Sequence, residues 1–518
     1  MPVSTKSFVT CIFLLFTFFV KAQQQYDVSK SGAVGDGKVN CTLVLQQAID
    51  DCNKNGGGTV YFPPGVYKSG TLFLKSNVHL YLEAGAVIKG SENLADYFAY
   101  EMPLFGKNYY GLFYADSAHN ISISGSGAID GNNTVFFEWD KAKKIEWGGT
   151  QFTRQKDNFR KVNSGVGDGP VMPKNRPRQM LVFARCTNVQ LSGVQLLNSP
   201  FWTLHFADCD GVSVTGIQLF TNMLVPNADG IDITSCSNVI ITGCDIRAGD
   251  DAIAITGYDH HFEIPGYHHL RHNAENIIIS NCNLQSYSSA IRIGFLDQNT
   301  VRNIQVSNVN ITNSTRGIGI FVRDEGSLEN ISFSNMYIQT VLHTGDWWGN
   351  GEPIHISAVR GNDSVKLGQV KNVQFSNIIC KGENGLLLYG SEESILQNIS
   401  FTHVQFEFAD SRINETAGGN VDLRGCSAKK QLFEREIPGI LVQYIDGLRM
   451  HDVQLRWTGT RMPYFTHGIE LNNFNNVDIS KFDGMASPIN KKAYRIAASN
   501  GKWLKIDDRK NVLIKNVQ

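Results

Sequence analysis

The stretch Pro226-Asn227-Ala228-Asp229-Gly230-Ile231-Asp232-Ile233, followed by a strand-like run and then by Gly249-Asp250-Asp251-Ala252-Ile253-Ala254-Ile255-Thr256-Gly257, decides how this chain is read. Asp229 precedes Asp250 by 21 residues. In a solenoid, residues about one coil apart in sequence become neighbours in space, so a coil of that length gathers Asp229, Asp250 and Asp251 into one patch. Three crowded carboxyl groups do not all ionise easily; one is pushed towards its protonated form while the others stay anionic. An acid held beside bases of the same kind is what cleavage of a glycosidic bond requires. Taken alone, Asp-Asp after Gly is also what a solvated turn looks like. The flanking sequence weighs against that reading.

Around this stretch a single pattern recurs, Asn or Gly followed by alternating apolar residues. It opens at Asn120, Asn188, Gly211, Asn238, Asn276, Asn303, Asn330, Asn372, Asn398, Asn476 and Asn511. From Asn188 to Asn398 consecutive members stand 23, 27, 38, 27, 27, 42 and 26 residues apart. A period of this size with strand-type alternation means an all-β solenoid, and the two long intervals mean insertions on a coil. Alternation turns the Ile, Val and Phe side chains into the coil and their neighbours outward. The repeated Asn belongs to a turn, because it tolerates the left-handed conformation, even where it also forms an Asn-x-Ser sequon as at Asn330.

The ends and the composition set further limits. Lys6, the apolar run Phe8 to Val20 and Val20-Lys21-Ala22 read as a signal peptide over residues 1–22, leaving 23–518 as one β-helix domain. The run is shorter than the roughly 20 apolar residues a span needs, so we expect a secreted protein, extracellular or periplasmic, with no membrane span. A short amphipathic helix from about Cys41 to Asn53, carrying Leu43, Leu45, Ile49 and Cys52 and stopped by Gly56-Gly57-Gly58, is placed to cap the first coil. With 47 basic and 48 acidic residues, nothing marks a nucleic-acid partner. Ten cysteines, one of them Cys11, leave an odd nine after cleavage. Cys186, Cys209, Cys236, Cys244, Cys282 and Cys380 fall in or beside β-runs and are expected as buried free thiols, and no paired C-x-x-C spacing points to zinc.

Several of these residues, together with Gly32-Ala33-Val34-Gly35-Asp36-Gly37, Gly57-Gly58-Thr59-Val60, Pro63-Pro64-Gly65, Arg176-Pro177 and Asn198-Ser199-Pro200-Phe201-Trp202 with His205, resemble the polygalacturonase family of pectin-cleaving enzymes, glycoside hydrolase family 28. The resemblance covers most of the chain. It implies a right-handed parallel β-helix and an inverting hydrolase without cofactor or metal, with Asp250 as general acid and Asp229 and Asp251 activating water. It also implies substrate contacts at Trp202 and His205. An inverting acid and base typically stand roughly 6.5–9.5 Å apart, leaving room for the water.

Two departures bear on the substrate. The family's Gly-His-Gly becomes Ser288-Ser289-Ala290, and its carboxylate-holding Arg-Ile-Lys becomes Gly319-Ile320-Phe321. Coil arithmetic places Arg292 outward, beside Gly319, where it is expected to reach into the space that glycine leaves. Arg323 shares the outward parity of Phe321 and is a second candidate, while Phe321 itself offers an apolar face. The insertion from Tyr258 to His272 carries His260, His261, His268 and His269, any of which is a candidate for the missing histidine. Trp347 and Trp348, between glycines, cannot both be buried on one strand face, so at least one is expected to stack on a sugar. The expected function is hydrolysis, by a monomer, of an α-glycosidic bond in a pectic polysaccharide or oligosaccharide. The bond is of galacturonide or rhamnogalacturonan type, and loss of the lysine favours a less charged sugar. The rivals are a polysaccharide lyase using the clustered carboxylates to bind Ca²⁺ and a non-catalytic carbohydrate-binding solenoid.

Overall fold

The structure is a computed structural model and describes residues 24–102, 106–143, 150–161, 165–259 and 272–518. The proposed signal peptide and the four loop histidines therefore lie outside the described residues.

In the main sheet strands pair in parallel with those a coil later, and 34 strands join into a single continuous sheet, with three short antiparallel pairs outside it. This is the parallel β-helix that the repeats predict. One face, which carries the acids, is built from Phe113–Asp116, Leu181–Ala184, Leu204–Ala207, Ile231–Thr234, Ile253–Thr256, Ser289–Phe295, Arg316–Val322 and Ile354–Ala358. Their inward residues form buried columns, such as Ile231, Ile253, Ile291, Ile318 and Ile354 in successive register. Each coil thus buries its apolar positions against the next, and dispersion and the hydrophobic effect act along the whole stack. Phe333, Phe375 and Phe401 show it at ring level, with centroids 5.1 and 4.8 Å apart and nearly parallel planes.

The recurrent asparagines take the left-handed region, for example Asn276 at φ 59°, Asn303 at 58° and Asn330 at 56°. They sit as corners within the strands Ala274–Ser280, Val301–Ser314 and Leu328–Thr340, skipped by the ladder on either side, and not in separate turns. Most donate the side-chain amide to the asparagine one coil back, Asn303 to Asn276 at 3.2 Å and Asn330 to Asn303 at 3.2 Å, while Asn238 and Asn476 donate to Asp210 and Asp446 at 2.7 Å. A second ladder of this kind, Asn281, Asn308, Asn335 and Asn377, was not singled out by the sequence pattern.

Helix α1 (Thr42–Lys54) packs Leu45, Ala48, Ile49 and Cys52 on the first strands, as a cap. Leu43, expected on that face, is 86% exposed, because it falls on the solvent side of the first turn. Nine cysteines are buried and free, with no disulfide among the described residues. No helix among the described residues is long and apolar enough to cross a membrane.

Three insertions meet above the site face. Arg154 N–H donates to Asn420 Oδ1 at 2.8 Å, and Gln155 Nε2 to Gly418 O at 2.6 Å. The buried guanidinium of Arg160 donates to the carbonyl of Trp347 at 2.9 Å and also to that of Gly349. Segments 150–161, 341–353 and 410–438 thereby form one wall. Under it, beyond His355 in the same outward column, Leu387 and Leu441 are buried against Val421, Leu423 and Phe433.

Candidate active site

Asp229 and Asp251 each lie two residues before the register pair Ile231–Ile253, so they stand on adjacent coils, and Gly230 N–H donates to Asp251 O at 2.8 Å. The contact is tight: a Cβ on Gly230 would fall 2.3 Å from Ala252 O, and one on Gly249 would fall 2.3 Å from Val225 O. That is why both acid motifs carry glycine. One oxygen from each of Asp229, Asp250 and Asp251 lies within 4.8 Å of the others, and all three side chains are buried.

Their surroundings differ. Asp251 accepts from Ser289 N–H at 2.9 Å and forms an ion pair with Arg292 Nε. Asp250 accepts from the N–H groups of Asn227 at 3.2 Å and Asp251 at 3.1 Å. Burial, with Asp251 beside it, pushes Asp250 up to about 6. Asp229 is raised well above the usual carboxylate range by burial and then by Asp250, Asp232 and Asp251; its Oδ1 accepts no hydrogen bond among the described residues. A proton is thus held in the trio while Arg292 compensates Asp251. Arg176 orders the approach, donating to Pro200 O at 2.6 Å, Pro226 O at 2.9 Å and Asn227 Oδ1 at 3.2 Å.

The acids sit at one end of a cavity of about 180 Å³ that is also lined by Trp202, Tyr258, Arg292, Phe295, Phe321, Arg323, Trp348, His355 and Arg424. Trp202, Phe321 and Trp348 line this cavity. Trp347 does not: it is 1% exposed, its Nε1 donates to Asp168 O at 3.0 Å, and its ring meets Tyr287, so it holds the wall together. His205 is fully buried beneath Trp202, ring centroids 5.2 Å apart, and bonds Thr234 Oγ1 at 3.1 Å instead of lining the cavity.

Arg292 does not enter the space above Gly319. Its Nε is committed to Asp251 and its Nη1 to Gly294 O at 3.2 Å. The space is taken by the ring of Phe321, two residues on along the same strand. Arg316 and Arg323 flank that ring, 4.9 and 5.3 Å from its centroid, and His355 meets it edge-on at 5.1 Å. Arg323 lines the cavity, is 1% exposed and donates to Ser357 O at 3.1 Å and Ser357 Oγ at 2.9 Å. It has no carboxylate partner among the described residues, and its Nε is unpaired.

The sequence reading did not find Arg316, Glu352, His355, Asp422 or Arg424. Arg316 Nε donates to Glu352 at 2.8 Å and its Nη1 reaches Ser289 Oγ at 3.2 Å, so a guanidinium stands beside the serine that replaces the family histidine. Burial opposes ionisation of Glu352, but Arg316 and His355 hold it down to about 2, while burial lowers His355 to about 4. Arg424 pairs with Asp422 at 2.9 Å and Asp346 at 3.0 Å and covers the Trp348 ring at 5.1 Å. Register would have found Arg316 and Glu352, which stack in line with Ser289. Arg424 comes from an insertion with no repeat to place it.

Residues 106–416 match the model of glycosyl hydrolases family 28. The chain belongs to that family. Residues 25–102 match a model described as rhamnogalacturonase A/epimerase, pectate lyase-like. The curated relatives include a probable polygalacturonase of Vitis vinifera, 25% identical over 44% of this chain and 43% of its own length. Another is an exo-poly-alpha-D-galacturonosidase of Dickeya chrysanthemi, 27% identical over 44% of this chain and 41% of its own. The match thus spans less than half the length of these relatives. The fold is similar to that of a family 28 exopolygalacturonase from Yersinia enterocolitica, TM-score 0.65 at 20% identity, covering 90% of this chain and 79% of that one. It is also similar to an exopolygalacturonase from Thermotoga maritima, TM-score 0.60 at 22% identity, covering 85% and 93%.

Proposed function

We propose that this protein hydrolyses an α-glycosidic bond at or near the end of a pectic galacturonide chain. The observation that carries the reading is the trio of buried carboxyl groups at one end of a cavity, of which, among the described residues, Asp251 alone is paired with an arginine. In this reading Asp250 gives its proton to the leaving glycosidic oxygen. Asp251, ion-paired with Arg292, takes the proton of the attacking water, and Asp229 holds that water. The roles of Trp202, Phe321, Arg323 and Trp348 in holding the sugar belong to the same proposal. Arg323, a buried cation without a carboxylate partner among the described residues, favours an anionic sugar in the cavity. This revises the expectation of a less charged one.

Action near a chain end is supported by the wall. The outward column past His355 is roofed by segment 410–438, so a long chain has no path beyond the cavity on that side. Export after loss of residues 1–22, and action as a monomer, complete the reading. The carboxyl oxygens approach more closely than the roughly 6.5–9.5 Å of typical inverting pairs, so inversion rests on the family resemblance. NMR of freshly cleaved oligogalacturonide tests it: the product anomer opposite to the substrate is expected, and the same anomer would overturn it. A product with a new double bond, or activity lost to a chelator, would establish the lyase reading instead. Against that reading stands Arg292, which already puts a cation on Asp251.

A further inference from the structure

The outward column of the site face does not stop at the acids. Followed back through the register, Arg292 lies over Ala254, Ala254 over Asp232, Asp232 over His205, His205 over Val182, Val182 over Tyr114 and Tyr114 over Phe73. At roughly 4.8 Å per rung, Tyr114 and Phe73 stand about 19 and 24 Å from Ala254. There the rings of Phe73, Phe98, Tyr100, Tyr110 and Tyr114 gather into one cluster. Tyr110 is at its centre, 4.3 Å from Tyr114, 4.4 Å from Tyr100 and 6.0 Å from Phe98.

Three properties set the cluster apart from ordinary packing. Phe98 is 55% exposed, although its plane lies within 24° of Tyr110. Its backbone is pinned, with N–H donating to Thr71 Oγ1 at 3.0 Å and its carbonyl accepting from Tyr110 N–H at 3.0 Å, so the exposed face is held in place before anything binds. And the cluster is continuous with the cavity. Trp202, which lines the cavity, stacks with Phe201 at 5.7 Å; Arg178 lies over Phe201 at 4.1 Å and hydrogen-bonds Tyr100. A cation thus sits between two aromatic surfaces on one line.

We infer that Phe98 and Tyr110, with Tyr100 and Arg178, form a distal subsite for the same acidic polysaccharide chain whose end enters the cavity. Aromatic faces suit the apolar faces of sugar rings, and the guanidinium suits the carboxylates of a uronate chain. The wall closes the opposite end of the column, so this is the side on which a long substrate must leave the cavity. The inference rests on the proposed galacturonide reading.

The test is kcat/KM on oligogalacturonides of increasing length, for wild type, Phe98→Ala and Phe98→Trp. Wild-type kcat/KM is expected to keep rising until the chain spans the 19–24 Å to the cluster. Phe98→Ala should match wild type on the shortest cleaved oligomer and fall roughly three- to tenfold below it on long ones, the range of one aromatic contact; Phe98→Trp should restore the rise. Parallel length profiles for all three would overturn the subsite. Gel retardation of Asp250→Asn protein by polygalacturonan, with and without Phe98→Ala, reads the subsite apart from turnover. Retardation weakened by Phe98→Ala supports it even if no galacturonide is cleaved, and retardation unchanged by that substitution counts against it.

Discussion

The ring of Phe321 lies over Gly319, so close that a Cβ at 319 would fall 2.6 Å from two of its ring carbons. The two substitutions that separate this chain from the family's carboxylate-holding motif are therefore one structural change. Glycine clears the strand surface, phenylalanine folds down onto it, and Arg316 and Arg323 close on the ring from either side. Gly319→Ala must displace the ring. We expect it to cost about 1–3 kcal/mol, as overpacking does, and to raise KM. In a Phe321→Ala background the same change should cost little. A double-mutant cycle measured by denaturant unfolding checks this, and additive costs would mean that the two positions are independent.

The adjacent tryptophans should separate stability from binding. Trp347 is buried in the wall, so Trp347→Ala is expected to destabilise by about 3–5 kcal/mol. Trp348 lines the cavity beneath Arg424, so Trp348→Ala is expected to raise KM with little change in the unfolding midpoint. Thermal unfolding and steady-state kinetics on the same preparations show whether the effects divide in this way.

Much of this was legible in the chain because solenoids translate sequence separation directly into space. The 21 residues from Asp229 to Asp250 pointed to one short coil and so to a patch of Asp229, Asp250 and Asp251, and the 27-residue spacing of Asn276 and Asn303 pointed to Arg292 beside Gly319. Parity tells which way a side chain leaves the strand, but not how far it bends. That is why Arg292 was expected over Gly319, although it turns back to Asp251. Insertions follow no period, so the burial of Trp347, the roof of Arg424 and the hold of Arg160 on the wall were out of reach of repeat arithmetic.

Arg292 now has a different expected effect from that of a substrate reader. Its guanidinium contacts Asp251, so Arg292→Ala leaves that carboxylate without its counter-charge and raises its proton affinity. We expect kcat to fall on every substrate, acidic or neutral, and the acidic limb of the pH–rate profile to move to higher pH. A loss confined to KM on acidic substrates, with an unmoved limb, would return Arg292 to substrate reading.

Asp250→Asn tests the acid and the electrostatics together. The amide has no proton to give, and general acid catalysis is typically worth a factor of about 10² to 10⁴, so the variant should fall at least that far on a native glycoside. Burial raises Asp250 to about 6 in the folded protein, above the 3.8 of an exposed aspartate. The folded state therefore binds this proton more tightly. The stability that results is fully present below about 3.8 and is lost as pH rises through about 6. At roughly 1.4 kcal/mol per pH unit the change is of the order of a few kcal/mol. Asparagine does not titrate, so the variant should gain stability relative to wild type as pH goes from about 4 to 7. Unfolding midpoints for both proteins across that range give the difference. A difference that stays flat with pH would mean that Asp250 is ionised throughout, and would pass the proton, and with it the acid role, to Asp229.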